Sequence, residues 1–456
     1  MVRMATLTCI FFIICLFWMD RGKNDGVSRA VWIPLIWMFF TGTRQLSQWL
    51  NLDTSMKTSG MQLEGNPLNA CAFLILIIAG VLVLWRRKLD WKELFNQNIW
   101  IWLLFIFGAV SIFWSDYPII AFKRLIKSLG VVIMVMVVLS EKRPYEAFGT
   151  ILKRLAFLFL PLSVLFIEYY PYLGRSYSRF GRILYNGIAT HKNSMGQLCL
   201  ILGIYFCWNL FFHYRKEINR VNRSYLLLYF LFFPILAWLL YKADSATSLI
   251  CLAIAICFFI FARFPGIYRR PKRLLIISIT IIVLFMVMWL LFGDEIRRNA
   301  IILLHRKETL TGRTLIWEYL KSHAENHWVG VGYENFWLGS RLEQFWERFD
   351  GPWYQAHNGY LEIYLNLGLI GLVLIACNIL SGLLKACKQL FVDFPIGILR
   401  LSFIIVVVLY NYTEATFSGA GNMLLIFWLG VISPPLRSSP AAPERWKPNG
   451  HKKCQY

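Results

Sequence analysis

The stretch YQAHNGYLEIYLNLGLIGLVLI, residues 354–375, sets a histidine and an asparagine just ahead of an apolar run fit to enter a membrane. Asn358 suits the N-cap of the helix that follows, because its side chain can accept from the free N–H groups of the first turn. His357 then stands at the positive end of a helix dipole. That end disfavours imidazolium and leaves a neutral ring able to take a proton.

Two other segments offer cations. In LTGRTLIWEYLKSHAENHWVGVGYENF, residues 310–336, Arg313 falls near the start of a short amphipathic helix. A guanidinium fork beside a helix N-terminus can clamp a diphosphate. In GRSYSRFGRILYNGIATHKNSMGQ, residues 174–197, Arg175, Arg179, Arg182, His191 and Lys192 occur with no acid among them. This pattern fits lipid headgroups or an anionic ligand, and basic residues on the outer face run against the insertion bias, which favours the ligand. Asp244 in YKADSATS and Glu414 in NYTEATF are carboxylates at membrane boundaries and are secondary candidates for binding or base chemistry.

Metal chemistry has less to recommend it. His305, His323 and His327 show neither HxxxH nor HExxH spacing, and Glu343, Glu347 and Asp350 alternate with Phe345, Trp346 and Phe349 like the wet side of an amphipathic helix. The cysteines form no CxxC pair, so neither structural zinc nor a disulfide framework is expected. No metal or cofactor is assigned.

These residues need a scaffold, and composition identifies it. The chain is 58% hydrophobic and 17% aromatic, with a mean hydropathy of +0.54, and its apolar residues come in blocks. The fold expected is all-α and polytopic, with about twelve or thirteen membrane helices of about 20 residues each. They begin near Met4, Ala30, Pro67, Ile99, Leu125, Leu155, Met195, Ser224, Leu249, Leu274, Leu361, Ile398 and Met423. The net charge of +22 resides in loops on alternate sides of these runs, as in the segments 86–88, 141–143, 215–223 and 269–273 and the tail 434–456, so it marks cytoplasmic loops rather than nucleic-acid binding. The opposite, external face then receives the loops near 43–66, 114–118, 171–194, 242–248, 293–356 and 411–422. One integral membrane domain, 1–456, is expected, with a basic outer loop at 171–194, a large near-neutral outer loop at 293–356, and C-terminal spans at 361–433.

The GRTLIW segment, GVGYENF after it, and AHNGYLEIYLNLGLIGL leading into the next span resemble the O-antigen ligase and polysaccharide polymerase superfamily. RFGRILYNGIATHKNSMGQ is similar to the version of that loop in exopolysaccharide polymerases of the ExoQ type. The resemblance runs from about Arg175 to Glu414. It implies a GT-C-like glycosyltransferase of the bacterial inner membrane, active on the periplasmic side. Its donor would be a polyprenyl-diphosphate-linked oligosaccharide and its acceptor a growing polysaccharide, without metal, and a chain-length regulator is allowed among its partners. Residue by residue, it implies an essential arginine at Arg313, a histidine at His357, and substrate-binding arginines at Arg179 and Arg182. Polymerase and ligase share these residues. The rival from another class is a flippase or transporter, which would gather its polar groups at midplane; here they gather on one side, beneath a folded loop.

Overall fold

A computed structural model describes residues 1–21, 26–52, 65–178, 181–212, 223–274, 277, 313–349 and 353–433. Arg179, Asp350, His305, the tail and most of the span expected from Leu274 lie outside the described residues. The principal helices in chain order are α1 (Val2–Asp20), α2 (Trp32–Gly42), α3 (Pro67–Arg86), α4 (Ile99–Val110), α5 (Pro118–Leu139), α6 (Pro144–Tyr169), α7 (Lys192–Phe212), α8 (Arg223–Ala243), α9 (Ala246–Arg263), α10 (Arg313–Ser322), α11 (Gly339–Phe349), α12 (Gly359–Val392), α13 (Phe394–Tyr410) and α14 (Asn422–Val431).

The starts follow local chemistry. Prolines occupy the first turns of α3, α5, α6 and α13, where a missing N–H costs nothing. Asn66, Ser245, Asn358 and Asp393 each accept a first-turn N–H. Among the described residues, six helices are long and apolar enough to cross a membrane, and a seventh span results if Trp91–Gln97 and Ile99–Trp114, bent by 86°, form one. Four expected spans fall on shorter apolar helices that include α2, α13 and α14. Another, α5, starts at Pro118 rather than near Leu125, because the helix continues outward through Lys123 and Arg124. The interior is apolar and aromatic, with Trp37, Phe148, Phe159, Trp208, Phe403 and Trp428 almost wholly buried.

The two ends of the bundle differ. At one end the basic loops meet: Arg87 pairs with Glu141, which also accepts from Ser28 Oγ at 2.6 Å. At the other end the loops expected to share the external face contact one another. Arg44 reaches the Leu173 carbonyl, Asp116 pairs with Arg341, and Lys192 reaches Asp244. Two short antiparallel strands, Arg175–Tyr177 and Ile183–Tyr185, form a hairpin inside the 171–194 loop that the sequence pattern did not announce.

The motif at the head of α12 has a backbone explanation. Gly368 interrupts the helix at φ 61°, ψ −160°, so the amides beyond it lose their helical partners. The segment from His327 to Gly332 takes up that break: Leu369 N donates to His327 O at 2.8 Å, Val331 N to Leu365 O at 3.2 Å, and Gly332 N to Asn366 O at 2.9 Å. A Cβ on Gly368 would collide with the Trp328 backbone. The outer loop and the histidine motif are therefore one built unit. Its separate core consists of Ile316, Leu320, Phe336, Trp337, Leu342 and Phe345 against Leu361 and Leu365.

Candidate active site

Three of the sequence-predicted residues converge. Arg313 is the first residue of α10, His357 immediately precedes the Asn358 cap of α12, and Glu414 lies in the loop between α13 and α14. Glu414 Oε1 lies 3.2 Å from Arg313 Nη2, and Glu414 Oε2 lies 3.2 Å from His357 Nδ1. Arg313 Nη1 also donates to the Thr413 carbonyl. The glutamate thus moves from a secondary candidate to the hub of the cluster.

Local backbone sets this up. Gly359 N donates to Asn411 O at 2.8 Å and to Glu414 O at 3.1 Å, which ties the histidine turn to the glutamate loop. A side chain on Gly359 would strike Asn411, whose Oδ1 in turn accepts from Thr416 N and Phe417 N at 2.8 and 3.0 Å. His357 itself takes φ 50°, a left-handed conformation uncommon for a residue with a Cβ and found most often where geometry serves a site.

Electrostatics fix the roles open to these groups. Burial pushes the Glu414 carboxyl upward, but the hydrogen bond from His357 and the charge of Arg313 outweigh it and hold the group below the usual carboxylate value. An ionised carboxylate can only accept, so its contact with His357 calls for a proton on Nδ1, which in the neutral ring leaves Nε2 as the acceptor; Gln355 Nε2 also lies 3.3 Å from Nδ1. The helix end expected to govern His357, which disfavours imidazolium, is opposed here by a carboxylate that attracts it. Arg313 keeps further guanidinium donors beyond the two it spends on Thr413 and Glu414.

A second cluster adjoins the first. Asp244 Oδ2 accepts from Lys192 Nζ at 3.4 Å and pairs with Arg182 Nη2 at 3.2 Å. Asp244 is therefore placed as a counter-ion to two cations. Asn193, next to Lys192, donates through Nδ2 to Glu414 Oε1 at 3.0 Å and joins the clusters. His191 accepts at Nδ1 from Asn193 N at 3.2 Å, so it shapes the turn at the start of α7. Glu343 and Glu347 lie on the exposed face of α11, whose Leu342 and Phe345 are buried.

Several participants were not named in advance. Asn193 and Thr413 flank residues that were, and they carry no signal of their own. Arg124, Lys127 and Glu334 did carry one, since three basic residues within five positions of an otherwise apolar helix require partners. Arg124 donates to the Glu334 carbonyl, and Gly419 N donates to the Glu334 carboxylate. Burial raises the Glu334 carboxyl, against the pull of Arg124 and Lys127. Glu362 is also buried: its Oε1 accepts from Ala356 N at 2.5 Å, and Trp337 Nε1 reaches both its oxygens at 2.9 Å. It thereby holds the residue just before His357.

The sequence profile of the O-antigen ligase family matches residues 228–376, a segment that includes Arg313 and His357 and stops before Glu414. The exopolysaccharide production protein ExoQ of Rhizobium meliloti strain 1021 is 26% identical over 370 residues, which cover 75% of this chain and 79% of that protein.

Proposed function

We propose, for a chain that belongs to the O-antigen ligase and ExoQ-like family of multi-pass membrane proteins, that it joins glycan units carried on polyprenyl diphosphate into a polysaccharide. The relative's role in exopolysaccharide production favours a polymerase over a ligase. The observation that carries the proposal is the carboxylate of Glu414 held between the Arg313 guanidinium and the His357 ring.

The chemistry follows from the leaving group. The bond between the donor's anomeric carbon and the diphosphate oxygen breaks, and its electron pair departs with the diphosphate. Arg313, with Arg182 and Lys192 nearby, neutralises that charge in the role a divalent cation would otherwise fill. The acceptor hydroxyl attacks the opposite face of the anomeric carbon and passes its proton to His357 Nε2, so one displacement inverts the configuration. Glu414 orients the ring and stabilises the imidazolium that forms, as the carboxylate does in a Ser-His-Asp arrangement. The cluster sits at the end of the bundle that we assign to the periplasmic face of the inner membrane, where a lipid-linked donor would present its diphosphate.

The test is a proteoliposome reaction with lipid-linked oligosaccharide as both donor and acceptor. The proposal expects longer lipid-linked glycan in the presence of EDTA. Glycan transfer to a separate lipid acceptor without elongation would assign the ligase reaction instead. Movement of glycan across the bilayer with no new glycosidic bond would make the chain a transporter.

A further inference from the structure

At the end of α10 remote from Arg313, the 293–356 loop forms an open concavity of about 290 Å³, near the lower bound of small-ligand sites. Its walls are Tyr319, His323, Phe336, Arg341, Gln344 and Phe345, with Ser322 and Glu325 on the polar side. The ring of Tyr319 stacks on His323 with centroids 3.9 Å apart and meets Phe345 edge-on at 5.8 Å. The aromatic wall is therefore packed ring against ring.

The charges indicate what kind of ligand fits. Arg341 Nη1 donates to Glu325 Oε1 at 2.6 Å and Nη2 to Asp116, so the one fixed cation of this wall is already neutralised and a phosphate gains little here. Arg341 Nε is a buried N–H with no partner among the described residues, an uncommon arrangement. Ring faces on one side and neutral or paired polar groups on the other match a pyranose. Its C–H face packs on an aromatic ring, and its hydroxyl edge exchanges hydrogen bonds with amide, carboxylate and guanidinium groups. A lipid chain would leave the polar wall unpaired.

Arg313 and Ser322 mark the two ends of α10, a span of about 15 Å at the helical rise. A short oligosaccharide covers that distance. We infer that this concavity is a carbohydrate subsite that holds the growing glycan some units away from the bond being made. The inference rests on the proposed transfer reaction for its purpose, but not for the binding itself.

Binding is therefore measured where transfer is disabled. The probe is size-fractionated, lipid-free oligosaccharide hydrolysed from the exopolysaccharide of the source cell, titrated by saturation-transfer NMR against the full detergent-solubilised chain carrying Arg313→Ala. The subsite predicts binding that a further His323→Ala, Gln344→Ala pair weakens about tenfold. Both residues are exposed, and an unchanged melting curve verifies that the pair leaves the fold intact. In the otherwise native chain the same pair should shorten the polymer while formation of the first bond stays within about twofold. Undiminished affinity or an unchanged length distribution overturns the inference. If that binding depends on His323 and Gln344 but the chain with native Arg313 makes no glycosidic bond, the transfer reaction is overturned and the subsite stands.

Discussion

Glu414 Oε2 lies 3.2 Å from His357 Nδ1, although 57 residues of chain separate them. A histidine tethered at Nδ1 offers a single acceptor, Nε2, in a fixed direction. Glu414→Gln keeps the shape but loses the charge and can present an amide N–H to the ring. It should lower kcat by about 10²- to 10⁴-fold with little change in KM. Steady-state kinetics on the inserted protein decide this; a variant within twofold of wild type, a gap of about 0.4 kcal/mol, would remove Glu414 from the chemistry.

The same carboxylate makes an acid-side prediction. Its folded value is held below the ordinary glutamate value of about 4.5, so its contribution to stability is fully present above about that pH and is lost as pH falls through the lowered folded value. Thermal melts of wild type and Glu414→Gln should therefore differ at neutral pH and converge in acid. A gap that widens in acid would reverse the sign assigned to Glu414.

Arg313 is expected to act through geometry as well as charge. Arg313→Ala should abolish polymer formation. Arg313→Lys should recover only part of it, since a point charge lacks the fork that bridges two phosphate oxygens, each such bond being worth about 1.5 to 3 kcal/mol. Full recovery by lysine in a glycan-elongation assay would reduce the role to charge alone.

Arg182 and Asp244 form a pair exposed at 71% and 47% of their side chains, so Arg182→Ala should leave the melting temperature unchanged. If Arg182 holds diphosphate, KM for the lipid-linked donor should rise while kcat changes less. A drop in Tm without a KM effect would mark the pair as structural.

Gly368 is where the outer loop meets α12. Gly368→Ala places a Cβ against the Trp328 backbone in a left-handed conformation, a strain of about 1 to 3 kcal/mol before any displacement of the loop. The variant should melt early and lose activity even though Gly368 lies outside the site. Native stability in Gly368→Ala would mean that the loop does not depend on this break.

What could be read from the sequence divides along physical lines. Asn358 as an N-cap, Arg313 at a helix start, and the amphipathic face of α11 depend on neighbours within one turn, and each stands where local chemistry put it. Apolar runs fixed the helices because a membrane rewards length and hydropathy. The partnership of Glu414 with His357 depends on packing α12 against α13, which no local pattern encodes. The outer start of α5 was hidden because Lys123, Arg124 and Lys127 look like a loop until Glu334 is brought to Arg124 and Lys127. The break at Gly368 was quoted within a motif, yet its purpose appears only when the Trp328 backbone lies against it.

The most direct measurement is elongation of lipid-linked oligosaccharide in proteoliposomes by wild type and by His357→Asn. Asparagine tolerates the left-handed backbone at this position and keeps a hydrogen-bonding side chain, but it cannot take a proton at neutral pH. The expected result is elongation by wild type and a rate lower by about two to four orders of magnitude for His357→Asn, with donor binding and insertion intact. Near-normal elongation by His357→Asn, with an unchanged pH profile, would contradict base catalysis by His357.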